Sequence, residues 1–515
     1  MSAQGDTRDT SLLKRALNTP LAFRLLIAAV LGATAAFGQA PYDQPVAFVL
    51  AVLAAFVMWR AHTTRGAAAL MGWAFGTGYF AHALLWILEP FQVDAARHGW
   101  MAPFALLFLS SGLALFWGAA FWCARLLSAS AGMLVLTWTG AEILRAYLFT
   151  GFPWAGPAQI MIDGPVSRLL AVFGPHGATL CLLAFVWALS LPRAGAAWTM
   201  RVGQGALFAG VMLAFYLPQA IAPAPLTDHW VRLVQPNAAQ HLKWQPEYAE
   251  LFFQRQLTLT AQSPLEAEQA PDLVVWPETA IPWQLGAAGL ALAEVARASG
   301  GVPVALGALR FEGDRLRNSM AVVGPDGALQ AIYDKHHLVP FGEYIPFANL
   351  AERLGVKGLA VQVAGFSPGT GPELVDFGRL GQALPLICYE AVFAHDVNAA
   401  PGRPSFLLQV TNDAWFGTQA GPQQHLAQAR MRAIEQGIPL ARAANTGISA
   451  MIDPYGRIIA QLPLGADGFV DAPLPRPLPP TLYSRTGDAP LIWVLCLALL
   501  LGAMRVWRHS LPESD

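Results

Sequence analysis

Charge is what this chain has least of: Asp, Glu, Lys and Arg make up 13% of its 515 residues, against about a quarter in ordinary soluble domains. Hydrophobic residues reach 55%, so much of the surface is expected to face lipid. The few charges nearly cancel, to a formal −1, which argues against the basic surface that a nucleic-acid partner demands. Cysteine is equally scarce. Cys123, Cys181 and Cys496 lie in apolar runs, where a thiol is usually a small buried hydrophobe. Only Cys388 falls in the long polar stretch, so it has no disulfide partner there. No CxxC or CxxH spacing occurs, and neither a metal nor another cofactor is expected.

Long apolar runs, by contrast, are plentiful. Crossing the hydrocarbon core takes roughly 20 mostly apolar residues in a helix. Seven stretches qualify near Leu21–Gly38, Pro45–Trp59, Ala67–Leu88, Ala102–Ala124, Ala129–Leu148, Val166–Leu191 and Gly203–Ile221, and an eighth near Ala489–Val506. Lys14, Arg15, Arg60, Arg65, Arg125, Arg193, Arg201, Arg505 and Arg508 collect in alternate connections, opposite Asp43, Glu89, Asp94 and Asp163. The positive-inside rule then makes both termini cytoplasmic and the polar region periplasmic, in a bacterial inner membrane. The expected partition is a membrane region at 1–227, an extramembrane domain at 228–473, and a connector, last span and tail at 474–515. A cleaved signal peptide ending near Ala36–Ala40 is the lesser alternative, because the apolar run is long and more spans follow.

The polar region reads as alternating strands and helices. Strands are expected at Trp230–Val234, Leu273–Val275, Val304–Leu309, Met320–Val323, Leu329–Tyr333, Leu384–Ile387, Phe406–Val410 and Ser449–Ile452. Helices are expected at Tyr248–Ala261, Leu290–Ala298 and Gln423–Gln436, with tight turns at Gly324–Gly327 and Asp453–Gly456. Pro473–Pro480 reads as an extended connector. The fold class is thus a membrane α-helical bundle of about eight spans plus a layered α/β domain.

Three reactive side chains each follow an apolar strand: Glu278 after Leu273–Trp276, Lys335 after Ala331–Tyr333, and Cys388 after Leu384–Ile387. Strand ends in α/β sheets are where sites are commonly built. Together a carboxylate, an ammonium and a thiol form a coherent set. The carboxylate takes the thiol proton, while the lysine favours thiolate and steadies a developing oxyanion. Taken singly, each has a plainer explanation: an inert core thiol or a solvated surface charge.

The segments around these residues tip the balance. Trp276-Pro277-Glu278, Tyr333–Tyr344 and Ile387-Cys388-Tyr389-Glu390 resemble the nitrilase superfamily, whose members use a Glu-Lys-Cys triad in an αββα sandwich. Similarity is greater still to its membrane-bound apolipoprotein N-acyltransferase branch, through the flanking spans, Gly151–Trp154, Leu242–Trp244 and Thr411–Gly417. One departure is Pro236, where that family often has glycine; proline there removes a backbone donor. The resemblance implies Glu278 as general base, Lys335 as electrostatic partner and Cys388 as nucleophile, supported by Glu343, Tyr389 and Glu390. It also makes Trp154, Trp244 and Trp415 candidates for the substrate pocket, with interfacial anchoring as the alternative for Trp244 and Trp415. A loop over Gly342–Pro372 is expected to gate access.

The implied reaction moves a phospholipid acyl chain through Cys388 to the α-amine of a diacylglyceryl lipoprotein, in a monomer. A membrane-tethered amidase acting on a small amide is the alternative. A transporter fits less well, since ionisable residues are nearly absent from the spans, with Glu142 and Arg145 as exceptions near a span end. A serine hydrolase is not expected.

Overall fold

The computed structural model describes residues 20–510 except 63, 129, 192–197, 220, 265–268 and 347–364. Lys14, Arg15, Arg193 and most of the expected gating loop lie outside the described residues. Two compact units are present: residues 1–91, 97–219 and 488–515 in one, and 92–96 and 220–487 in the other.

In the first unit, helices fall on all eight apolar stretches: Leu21–Ala35, Pro45–Ala61, Arg65–Ala83, Ala102–Leu127, Ala131–Tyr147, Arg168–Leu189, Trp198–Tyr216 and Ala489–Ser510. Among the described residues, four runs are long and apolar enough to cross a membrane: Leu21–Gly38, Ala95–Leu127, Pro165–Leu189 and Ala489–Arg508. The Arg65–Ala83 helix is diluted by glycines, and they have a packing reason. A Cβ on Gly32 would lie 1.8 Å from Phe75 O, and one on Gly78 1.9 Å from Ala29 O. Only glycine lets these two helix backbones approach so closely, a common device between membrane helices.

Helix ends differ from expectation where proline intervenes. The third helix gives way after Ala83 to a 3₁₀ segment, Leu85–Gln92, that contains Pro90. The seventh stops at Tyr216, short of Ile221, because a residue preceding proline (here Pro218) avoids helical geometry. Glu142 and Arg145 form a buried pair at 2.5 Å. Trp117 Nε1 donates to Glu142 at 2.6 Å, and Arg145 donates to the carbonyls of Phe152 and Trp154. The Gly151–Trp154 motif is thereby held by a compensated charge, not an isolated one.

Among its described residues the second unit contains twelve strands: β1 Leu226–Gln235, β2 Leu273–Val275, β3 Val304–Glu312, β4 Arg315–Val323, β5 Leu329–Asp334, β6 Val375–Asp376, β7 Gln382–Ile387, β8 Phe406–Thr411, β9 Leu440–Ala444, β10 Ser449–Ile452, β11 Ile458–Leu462 and β12 Gly468–Pro475. They make two six-stranded sheets, ordered β12-β1-β2-β3-β4-β5 and β11-β10-β9-β8-β7-β6. Each has three parallel central strands, β1-β2-β3 in one and β7-β8-β9 in the other, flanked by antiparallel neighbours. Val231, Leu233, Val275, Met320, Ile387, Val410 and Ala443 belong to one apolar core shared by the two sheets. A second cluster joins the first sheet to the Pro246–Ala261 and Gly289–Ala298 helices through Phe253, Trp276 and Val295. A third joins the other sheet to the Gly421–Gln436 helix through Leu426, Ala429 and Ala433. The layers run helix, sheet, sheet, helix, as the resemblance implied.

Both expected turns form, closed by Gly327 N–H to Gly324 O at 3.0 Å and Gly456 N–H to Asp453 O at 2.9 Å. The connector reading of Pro473–Pro480 needs correction, since Pro473 and Pro475 lie inside β12. This strand pairs only with β1, at the sheet edge, where a missing N–H breaks no ladder.

Candidate active site

The three candidate residues emerge just past β2, β5 and β7. Glu278 follows β2 in a turn whose next residue, Thr279, has φ +48°. The turn presses on β3: a Cβ on Gly307 would lie 2.5 Å from Glu278 Cα and 2.6 Å from Pro277 O. Lys243 holds the turn from the other side, its ammonium donating to Glu278 O at 3.0 Å and Thr279 Oγ1 at 2.8 Å. Burial brings this ammonium down to about 8, against the pull of Glu278.

Lys335 is 1% exposed and sits between two carboxylates. Its Nζ donates to Glu343 Oε1 at 2.9 Å and lies 3.7 Å from Glu278 Oε1. Asn318, from β4, ties the same two acids together, its Nδ2 donating to Glu278 Oε1 at 2.7 Å and Glu343 Oε1 at 3.0 Å. Glu343 Oε2 accepts from Val339 N–H at 2.7 Å. Burial would depress Lys335, but Glu343, Glu278 and Cys388 outweigh it and hold its pKa above the ordinary value. Burial raises the Glu278 carboxyl, with Lys335 opposing. A carboxylate so raised is a better proton acceptor than a solvated one.

Cys388 is buried, with φ +53°, a region that non-glycine residues seldom occupy unless their surroundings impose it. Burial pushes its thiol pKa well up and Glu278 adds to the rise, while Lys335 and a hydrogen bond with Thr411 oppose. Thiol, carboxylate and ammonium are thus close enough to perturb one another. The resting thiol is protonated, and a base must take its proton before it can act as a nucleophile.

Glu390 braces the segment after Cys388. Its Oε2 accepts from Ile387 N–H at 2.7 Å, and its Oε1 accepts from Tyr333 Oη at 3.0 Å and His336 N–H at 2.7 Å. One carboxylate therefore joins the Lys335 and Cys388 segments. Tyr389 packs edge-on against His337 and Phe393. His336 Nδ1 lies 2.7 Å from Glu390 Oε1 and its Nε2 3.6 Å from Asp396 Oδ2. Burial alone would lower the His336 pKa, but Asp396 and Glu390 outweigh it and hold it at about 9.

That shift has a testable sign. Below pH 6.5 histidine is charged folded or unfolded, and the pairing stabilises in full. Between 6.5 and about 9 only the folded state keeps the proton, so the contribution falls as pH rises through the folded pKa. His336→Gln is expected to lower stability in detergent by about 1–2 kcal/mol at pH 6, after solvent screening. Thermal melts should show that difference shrinking towards zero by about pH 9.5. A difference that grows with pH overturns the ion-pair assignment.

Trp244 and Trp415 belong to the α/β unit and are 46% and 40% exposed. Trp244 and Lys243 line a recess with Pro236, Phe252, Gln256 and Thr279. Trp154 belongs to the other unit, fully buried, its ring centroid 4.6 Å from that of Trp86. Gly365-Phe366-Ser367-Pro368-Gly369 has the spacing of a serine elbow. It lies in irregular backbone carrying only an isolated bridge from Phe366 to Leu316, not in the strand-to-helix turn such an elbow requires.

A family model described as carbon-nitrogen hydrolase matches residues 230–478, and one described as apolipoprotein N-acyltransferase N-terminal domain matches 31–189. The apolipoprotein N-acyltransferase of Rhodopseudomonas palustris is 37% identical over 509 residues, covering 94% of this chain and 95% of that protein. That of Brucella melitensis biotype 1 is 37% identical over 507 residues, covering 93% and 94%. A crystal structure of an amidase from Nesterenkonia sp. aligns with 53% of this chain and 97% of its own, at 21% identity and a TM-score of 0.36. The acyltransferase relatives run through the apolar helices and the sandwich alike, so the chain belongs to the apolipoprotein N-acyltransferase family.

Proposed function

We propose that the protein takes an acyl chain from a phospholipid as a thioester on Cys388 and passes it to the α-amine of a lipoprotein's N-terminal diacylglyceryl-cysteine, completing lipoprotein maturation. The observation that carries this reading is the buried meeting of Glu278, Lys335 and Glu343 beside the Cys388 thiol, in a chain whose relatives bear the acyltransferase name throughout their length.

Glu278 takes the thiol proton, and Sγ adds to the ester carbonyl carbon. The carbonyl π pair moves onto oxygen, giving an oxyanion that Lys335 stabilises. Collapse breaks the C–O bond to glycerol, and Glu278 returns the proton to that oxygen, releasing lysophospholipid. The neutral acceptor amine then adds to the thioester and Glu278 accepts its proton; the C–S bond breaks with its electron pair on sulfur, releasing the N-acylated lipoprotein, and Glu278 returns the proton to Sγ. Splitting one acyl transfer in two lowers each barrier. Asn318 and Glu343 keep Glu278 and Lys335 in register.

In this reading the first helices and the last are spans of the bacterial inner membrane, eight in all, with both termini cytoplasmic. The catalytic domain, residues 228–473, works on the periplasmic side as part of a monomer. Tethering suits the substrate, because lifting an acyl chain into water costs about 0.8 kcal/mol per CH₂, so the site must meet the chain at the bilayer. A small-amide amidase would have no use for that arrangement.

The test is intact-mass and steady-state kinetics on the full chain. With phospholipid alone, at most one acyl equivalent should appear on Cys388, with a matching burst of lysophospholipid. A lipopeptide with a free α-amine should discharge it, and an N-acetylated one should not. Varying both substrates should give parallel double-reciprocal lines. Intersecting lines without any adduct in rapid-quench samples would mean direct transfer in a ternary complex.

A further inference from the structure

Asp413, from the Thr411–Gly417 motif, is fully buried in a network of polar side chains. Its Oδ2 accepts from Arg442 Nη2 at 2.5 Å, and its Oδ1 lies 2.9 Å from His425 Nδ1. Arg442 Nη1 donates to Gln409 Oε1 at 2.6 Å. Gln409 Nε2 donates to Cys388 O at 3.2 Å and lies 3.2 Å from His425 Nε2. Gln409, Asp413, His425 and Arg442 are all 0% exposed, and they come from β8, the turn after it, the Gly421–Gln436 helix and β9.

The orientation of the Gln409 amide is not ambiguous. Arginine has only donors, so the end facing Arg442 is oxygen and the end facing Cys388 O is nitrogen. His425 lies against the same carbonyl: its Nε2 is 3.0 Å from Cys388 O, which only accepts, so Nε2–H is a second donor there, while Nδ1 faces Asp413 Oδ1 at 2.9 Å. Burial and Arg442 lower the His425 pKa, opposed by Asp413 and by the contact with Cys388 O.

All of this converges on one carbonyl, in the residue at φ +53°. That carbonyl shares a planar peptide with the N–H of Tyr389, and the two point in opposite directions. Fixing the carbonyl aims the N–H, and a hydrogen bond to the carbonyl strengthens the N–H as a donor. The backbone N–H that follows a nucleophile is well placed to meet the oxyanion of acyl transfer. We propose that Gln409, held by Arg442 and acting beside His425 on the Cys388 carbonyl, is a positioning residue that sets the Cys388–Tyr389 peptide as an oxyanion donor. The proposal rests on Cys388 being the nucleophile.

Gln409→Met in the full-length protein removes one of the carbonyl's two side-chain partners at similar length and leaves His425 in place. The rate of acyl-enzyme formation at saturating phospholipid should fall about 10–100-fold, with KM within about 2-fold. Alkylation of the Cys388 thiolate by iodoacetamide creates no oxyanion and should also stay within about 2-fold. A long-chain aldehyde adds to Sγ and places its former carbonyl oxygen where the oxyanion forms, so its inhibition should weaken by the same factor as the rate. If Gln409→Met melts well below wild type, Gln409→Glu keeps the Arg442 partner, removes the N–H, and must respond alike. Unchanged acylation overturns the proposal, as does alkylation that falls in parallel with it, since the residue would then orient only the thiol. An absence of any acyl adduct in the wild-type protein instead overturns the reading of Cys388 itself.

Discussion

Cys388→Ala is expected to abolish both the acyl adduct and the N-acylated product, a fall of about 10⁴-fold or more. Cys123, Cys181 and Cys496 belong to helices of the other compact unit, and the polar groups described beside Cys388 are two carboxylates, two ammoniums and the Asn318 amide. None can form the thioester. Alanine loses no buried hydrogen bond of the backbone, and it tolerates φ +53° about as poorly as cysteine does, so the strain is unchanged. The melting temperature should therefore stay near that of wild type. Turnover within about tenfold of wild type, measured by lipopeptide N-acylation, would falsify the thioester route.

Glu278→Gln should lower the acylation rate by about 10²–10⁴-fold, the usual cost of losing a positioned base. The amide keeps an acceptor for Asn318 and stays within reach of Lys335, so the site should remain assembled. The wild-type pH profile offers a second check. Only the ionised carboxylate accepts the thiol proton, and burial raises the Glu278 pKa. Activity should therefore decline on the acid side at a pH higher than an ordinary carboxylate would set, and that limb should vanish from the residual rate of the variant. Lys335 stays charged across the accessible range, since its neighbouring carboxylates raise its pKa further, so it adds no alkaline limb. An acid limb that persists unchanged in Glu278→Gln would assign it to another group.

How legible these features are in the sequence varies with their cause. Strands with bulky apolar residues, such as Leu273–Val275 and Ser449–Ile452, match expectation at both ends. Strand β9 escapes because Leu-Ala-Arg-Ala-Ala has neither alternation nor bulk; its arginine is buried on Asp413, a partner known only in three dimensions. Strand β12 escapes because its prolines read as a break, and only its edge position makes them harmless. The three chemical residues stand out through their flanking motifs. Asn318 and Gln409 do not, since one polar residue in an apolar strand looks the same whether it faces solvent or joins two carboxylates, and the Leu242–Trp244 motif does not reveal that Lys243 holds the Glu278 turn. What gives each its role is a contact spanning at least 21 residues of chain, as between Gln409 and Cys388.

Lys335 between its two acids, together with Lys243, has one more consequence. The two ammoniums and two carboxylates around the thiol cancel formally. Passing the thiol proton to Glu278 leaves that balance intact, as does forming the neutral thioester, and so does admitting a neutral amine. In the proposed mechanism the bond-making steps therefore leave the charge of this set unchanged. No counterion has to enter or leave, so the bond-making steps are indifferent to ionic strength, and salt acts only on how the lipid substrates arrive.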